Sequence, residues 1–404
     1  MSKMRHIKLF ISFLTVIFLT IPLTYSTISS EEGIKDPYHK LFQIEFSRIS
    51  DIYKDENIPG FEIFLQAKEN ATQFPYHSYT KLIRCYLMLL LNNTQGLMKL
   101  MDNKSISESL LNKVQSNLSE INKKMSNIIP TTIACAEWLS LAEQDIKNAE
   151  MLISEAKMGY TREEYSNVIY QLILADSLLE KARALINISE IRNNITSLKP
   201  SRIEEIMKVV SSEWIKVVES IIDHYSIITG KPLWSSKNLL NQSKEYYANS
   251  SYYQALMKAA EAKAMVEYIC NTPQFTNRLV ALESCETIIE YANLTMSKVY
   301  NESTIDAPLA EENFELAKLH LRDAEYEESE EGSKVIAALA VQESMIAKEQ
   351  ALAALDLKNA IEHGIKEEET FVLNNRIPWQ HIMVSIIILE GIFIMFLLFM
   401  RRRK

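Results

Sequence analysis

Seven histidines are spread along the chain, at His6, His39, His77, His224, His320, His363 and His381. No two stand at the three- or four-residue spacing that would put both imidazoles on one helical face. Neither His-Glu-X-X-His nor Cys-X-X-Cys occurs, so no metal or cofactor is expected. Glycine-rich phosphate loops are absent, and no nucleophile–base arrangement can be named, which makes the expected protein non-catalytic. The acidic run Asp323 to Glu331 lacks the alternating oxygen ligands and central glycine of a calcium loop and reads as a solvated helix end. Four cysteines, Cys85, Cys135, Cys270 and Cys285, in an exported chain permit three disulfide connectivities. Cys270–Cys285 is geometrically awkward. With a helix starting near Thr276, Cys285 lies about 13 Å along it at 1.5 Å per residue. A bridge needs Cα atoms within roughly 7 Å. Free thiols are the alternative, and no pairs are assigned.

A second pattern with chemical meaning is Asn-X-Ser/Thr. It occurs at Asn70, Asn92, Asn103, Asn117, Asn187, Asn194, Asn241, Asn249, Asn293 and Asn301. About three such sequons would arise by chance from the Asn and Ser/Thr content. Threefold enrichment favours N-glycosylation over accident, and with it an extracellular location.

The ends of the chain agree. Lys3, Arg5 and Lys8 precede the apolar run Leu9 to Leu23 and then Thr24-Tyr25-Ser26, the pattern of a secretory signal over residues 1–26. An uncleaved signal anchor is the competing reading. At the other end, Trp379 to Met400 spans 22 residues. At 1.5 Å each these match a hydrocarbon core of about 30 Å. Arg401, Arg402, Arg403 and Lys404 fix a cytoplasmic end. The expectation is a single-pass type I protein of the cell membrane, its bulk outside and its C-terminus cytoplasmic. Glu390 falls at mid-span, where a carboxylate costs at least ~2.5 kcal/mol. With Gly391 beside it, it reads as an intramembrane contact with a second spanning segment. A protonated, lipid-tolerated Glu is the bland alternative.

The elements between these ends must be helical. Only 8 glycines and 10 prolines occur in 404 residues, against 47% hydrophobic residues. That is far less glycine than strand-rich or α/β domains spend on turns. Setting aside Lys3, Arg5, Lys8, the four C-terminal cations and Glu390 leaves 36 Lys+Arg and 51 Asp+Glu, a net of −15. Such a surface excludes nucleic acid as partner. Helices are expected over 41–52, 61–68, 79–91 and 105–125, with Pro37, Pro59 and Pro75 as punctuation. Beyond 130, Pro130, Pro200, Pro232, Pro273 and Pro308 each stand near a helix start, and Asp306-Ala307-Pro308 reads as a cap followed by its proline.

A recurring unit lies in this region. Leu141-Ala142-Glu143, Ala149 and Ala156 superpose on Leu309-Ala310-Glu311, Ala317 and Ala324, with a fainter copy at Ser236, Leu240, Ser243 and Tyr247. Each copy is followed by a break and a second helix, over 165–186, 252–269 and 335–357. Small residues every seventh position let a neighbouring helix approach closely. Copy spacings of 94 and 74 residues are too irregular for a standard solenoid.

Stretches such as Ala142-Glu143-Gln144-Asp145 through Ala156, Glu164-Tyr165 through Ala175, and Tyr252-Tyr253-Gln254-Ala255-Leu256 resemble the helical region of archaeal surface proteins. Among these are the membrane-anchored Lon-like (S16-type) proteases, with a secretory signal, a helical portion and one C-terminal span. The resemblance covers roughly 130–400. Such proteases set a Ser/Lys pair in a glycine-containing α/β domain, and no segment here has the glycine or strand content for one. The resemblance implies a non-catalytic relative or accessory subunit, and no catalytic residue is carried over.

The expected fold is therefore all-α, an elongated array of helical hairpins plus one C-terminal transmembrane helix. Its parts are a signal (1–26), an N-terminal helical region (27–130), the hairpin array (131–363), an acidic stalk (364–376), the span (377–400) and a basic tail (401–404). The expected partners are the membrane and another protein or a second copy.

Overall fold

A computed structural model describes residues 37–54, 58–98, 102–193, 200–271, 275–301 and 305–363. The signal, the stalk, the span with Glu390 and Gly391, the basic tail and Asn194 lie outside the described residues. Among the described residues there is no strand, and no helix is long and apolar enough to cross a membrane. The fold is all-α. Twelve α-helices follow one another: α1 Pro37–Ile49, α2 Phe61–Asn70, α3 Pro75–Met98, α4 Asn103–Ser126, α5 Ile133–Thr161 and α6 Tyr165–Arg192, then α7 Pro200–Thr229, α8 Trp234–Ala248, α9 Tyr252–Asn271, α10 Arg278–Tyr300, α11 Pro308–Tyr326 and α12 Glu330–His363.

Four prolines, at 37, 75, 200 and 308, are the first residues of their helices, where a missing N–H breaks no intrahelical bond. Helices α1 and α3 therefore begin four residues earlier than hydrophobic periodicity alone places them. Side chains close other starts. Asp102 accepts from Ser105 N, Thr132 from Cys135 N and Asn277 from Val280 N.

Three helical hairpins, α5/α6, α8/α9 and α11/α12, form the framework. The small residues line their seams: Ala142, Ala149, Ala156, Ser236, Ser243, Ala310, Ala317 and Ala324 are all fully buried. Gly159 continues the first seam, and a Cβ there would stand 3.0 Å from Val168 Cγ2. The turns fix the register of the repeat. Glu163 and Ser250 share the left-handed conformation (φ 62° and 61°). The next N–H in each turn reaches back five residues, Glu164 to Gly159 O and Ser251 to Tyr246 O. Tyr160 meets Tyr165 edge-on at 5.5 Å, as Tyr247 meets Tyr252 at 5.3 Å. Every one of these pairs is offset by 87 residues, so Ser243 corresponds to Ala156 and Ser236 to Ala149, one heptad away from the register read in the sequence. Aligning Ala324 with Ser243 makes the second spacing 81. The hairpins are thus more evenly spaced than 94 and 74 suggest.

Packing gathers the helices around two large cores. One joins α1–α6, around Trp138, Leu172 and Leu179, so residues 37–126 share a core with the first hairpin. The other joins α7–α12, around Trp214, Tyr253 and Leu256. Contacts do not simply follow chain order. Helix α3 packs on α11, α5 on α9, and α12 lies against α7, α9, α10 and α11. The array is closed on itself across its two halves.

Candidate functional site

The two halves meet through buried charge. Asp306, just before α11, accepts from Trp138 Nε1 at 2.7 Å (α5) and from Arg192 Nε at 2.7 Å (α6), and forms a second bond with Arg192 Nη2. All three side chains are buried. Asp306 therefore does not cap α11. No side chain caps α11; Glu137 Oε2 instead accepts from the backbone N–H groups of Asp306 and Ala307, just ahead of the helix. Ala307 sits in the left-handed region (φ 47°) so that the chain can turn into Pro308. Glu137 Oε1 and the nearby Tyr253 hydroxyl are buried with no hydrogen-bond partner. Burial, then the neighbouring Asp306 charge, pushes the Glu137 carboxyl up to about 8, against the opposing backbone bonds and Arg192. Burial likewise raises Asp306, Asp145 and Glu312. Further along the same seam Tyr38 of α1 bonds Glu312, and Glu315 accepts from Tyr76 N and His77 N at the start of α3.

Beside this seam is a cavity of about 400 Å³ between α5, α6, α9, α11 and α12. Its charges are engaged with one another: Lys181 with Asp145, and Lys258 with Glu261. Gln144 accepts from Tyr246. Much of the lining, Gln144, Lys258 and Glu261 included, is half-buried rather than sealed from solvent.

Of the ten sequon asparagines, nine are described. Asn92, Asn241, Asn249, Asn293 and Asn301 are exposed, and Asn70, Asn103, Asn117 and Asn187 are half-buried. Asn117 Nδ2 donates to Asp176 Oδ1 at 2.8 Å, a bond that needs one of its two hydrogens and leaves the other position for a sugar. At Asn92, Asn187, Asn241 and Asn249 the sequon hydroxyl belongs to a buried residue: Thr94, Ser189, Ser243 and Ser251. Three of these hydroxyls bond backbone carbonyls: Thr94 to Leu90, Ser189 to Ile186 and Ser243 to Ala255. Those serines and threonines have a structural reason to be there.

No disulfide forms among the four cysteines. Cys85, Cys135 and Cys285 are buried and Cys270 is half-buried, all as free thiols. Cys285 packs with Ala281, Ala324 and Ala337 in a small core between α10, α11 and α12, while Cys270 rests on the larger α7–α12 core. Burial raises Cys85 to about 11 and Cys135 and Cys285 to about 12, which makes them unreactive as thiolates at neutral pH. Among the described residues no three His, Cys, Asp or Glu side chains converge as a metal site. The run Asp323 to Glu331 is mostly exposed and straddles the α11–α12 turn.

One end of the α7–α12 bundle is unusual in what it exposes. Ile227 is 83% exposed, Trp234 75% and Tyr326 78%, with Ile228 and Leu279 also open to solvent. The chain places these at one end. Lys231 Nζ donates to Ile269 O, linking the α7–α8 loop to the end of α9, and Arg278 at the start of α10 donates to Glu325 O at the end of α11. None of the described sequon asparagines falls in this end. The nearest is Asn241, seven residues beyond Trp234, or about 10 Å down α8. Of the two isoleucines, Ile228 follows the apolar stripe through Ile221 and Tyr225, whereas Ile227 stands on the face of α7 that carries exposed Ser220 and Asp223.

The fold defines an all-α protein of packed hairpins with one bare apolar end. Comparison with protein-family models, curated proteins and solved structures finds no match.

Proposed function

We propose that the protein is a non-catalytic, glycosylated cell-surface scaffold or receptor, held by the 377–400 span, that binds another envelope protein through helical surface. The observation that carries this reading is the apolar end of the α7–α12 bundle, which has no sequon while the described sequons occupy other parts of the surface. Exposed Trp and Ile gathered in one place are typical of contact surfaces. The loop bearing them is pre-organised. Gly230 turns it with φ 61°, Leu233 is a fully buried plug, and Lys231 ties it to α9. Glu390 and Gly391 would add a second contact within the bilayer.

The test is co-purification from native membranes in mild detergent, comparing wild type with Ile227→Asp/Trp234→Asp and with Glu390→Gln. A stoichiometric envelope protein, or untagged copies of the same chain, should be retained by wild type and depleted by the loop variant. Equal recovery from wild type and loop variant would overturn the assignment of this end. Glycosidase treatment of the same preparation should lower its mass, and a bare chain would remove the surface placement.

A further inference from the structure

The exposed end is two-sided. On one side Lys231 and Lys237 flank Ile227, Ile228 and Trp234, and no acidic residue occurs between Asp223 and Glu245. On the other, Leu279 and Tyr326 stand beside the exposed acids Glu325, Glu328, Glu330 and Glu331. In a chain whose exported part carries a net of −15, a stretch free of acids from His224 to Lys244 is a departure that asks for a complement, and Glu267 of α9, which lies by Tyr225, is itself paired with Lys348. The complement is on the same end of the same molecule.

A two-fold axis through such an end sets the basic side of one copy on the acidic side of the other, twice over. The Ile–Trp cluster then meets the Leu279–Tyr326 surface in both places. That is the requirement for an isologous contact, in which residue i meets j and j meets i. From this charge complementarity we infer that the occupant of this end is a second copy of the chain, docked head to head.

The direction of α12 adds the consequence. Lys348 bonds Glu267 of α9, and Tyr225 of α7 lies by Glu267, whereas Asp356 accepts from Trp214 further back on α7. Helix α12 therefore runs away from the exposed end, and its 34 residues carry the chain about 51 Å to His363. The inference rests on the reading of 377–400 as an anchor. Given that anchor, two head-to-head copies send their spans in opposite directions and join two facing membranes. Two chains side by side in one membrane could not make this contact while both stand upright.

The test uses full-length chain reconstituted into phosphatidylcholine vesicles, with tethering read by light scattering and by co-localisation of two dyes. Wild-type vesicles should cluster. Vesicles bearing Lys231→Glu/Lys237→Glu, or Glu328→Lys/Glu330→Lys, should each lose at least tenfold in tethered fraction, and mixing these two populations should restore it. Both variants change exposed side chains, and circular dichroism checks that they fold. Wild-type vesicles that stay single, folded variants that fail to rescue each other, or clustering with protein-free vesicles would each overturn the proposal. Failure of the chain to float with vesicles would instead sink the anchor reading. The same mixing experiment is then read as dimer mass in solution, where rescue supports the head-to-head contact and its absence overturns it.

Discussion

Glu137 gives the stability of this protein a dependence on pH that can be worked out. In the folded chain its carboxyl is pushed from about 4.5 up to about 8, by burial first and by Asp306 second. A raised carboxyl means that the folded state holds a proton which the unfolded chain releases. The stabilisation is fully present below the ordinary carboxylate value and is lost as pH rises through about 8. At 1.36 kcal/mol per unit, the loss is on the order of 5 kcal/mol. With an unfolding entropy of about 2.1 cal/mol/K per residue, that is roughly 6 °C in Tm for a chain of this size. Asp306 and Asp145 are raised as well and act in the same direction. Glu349 opposes them. Burial would raise it, but Lys263 and Lys348 hold it below the usual range, so its contribution fades only in stronger acid. Thermal unfolding followed by circular dichroism at pH 5, 6.5 and 8.5 should show stability falling steadily across the series. Glu137→Gln keeps an oxygen to accept from Asp306 N and Ala307 N but cannot ionise, so it should flatten most of that slope. A wild-type protein equally stable at pH 5 and 8.5, or a Gln variant with the wild-type slope, would refute the reasoning.

Arg192→Met removes the one cation bonded to buried Asp306 and should cost about 3–5 kcal/mol at pH 8 in urea unfolding. The cost should shrink near pH 5, where Asp306 can take up a proton, and an identical cost at both pH values would count against a buried ion pair. A thiol reagent should leave Cys85, Cys135 and Cys285 untouched in the native protein and titrate all four cysteines after unfolding without reductant. Fewer than four in the unfolded chain would reveal a disulfide.

Much of the architecture was legible from composition and periodicity: low glycine, seven-residue lines of small residues, and breaks between paired helices all led to hairpins. The repeat register was not, because Ala142, Ala149 and Ala156 are interchangeable under a shift of seven. It is set by turn chemistry, the left-handed Glu163 and Ser250 and the tyrosine pairs around them, which a search for small residues passes over. Helix starts at Pro37 and Pro75 were placed late because the first turn of each carries little apolar signal. The buried seam left no trace in spacing. Trp138 and Arg192 stand 168 and 114 residues from Asp306, and Asp306-Ala307-Pro308 has the look of an ordinary cap. The exposed end was hidden for the opposite reason: Ile228 falls on the core stripe through Ile221 and Tyr225, while Ile227 is a single apolar residue on the polar face of α7, which spacing alone passes over.

The seam also bears on how such a chain can be made. A chain made N-terminus first leaves the Tyr38 hydroxyl without its carboxylate until Glu312 follows, 274 residues later, and the first turn of α3 waits 238 residues for Glu315. Glu137 likewise stands without the backbone N–H groups it binds until Asp306 and Ala307 follow. Helices α1–α6 can collapse early on their shared core, but the polar groups on their inner face stay open to water until α11 arrives. The C-terminal helices thus complete the N-terminal ones, and until they do so the buried seam is only half built.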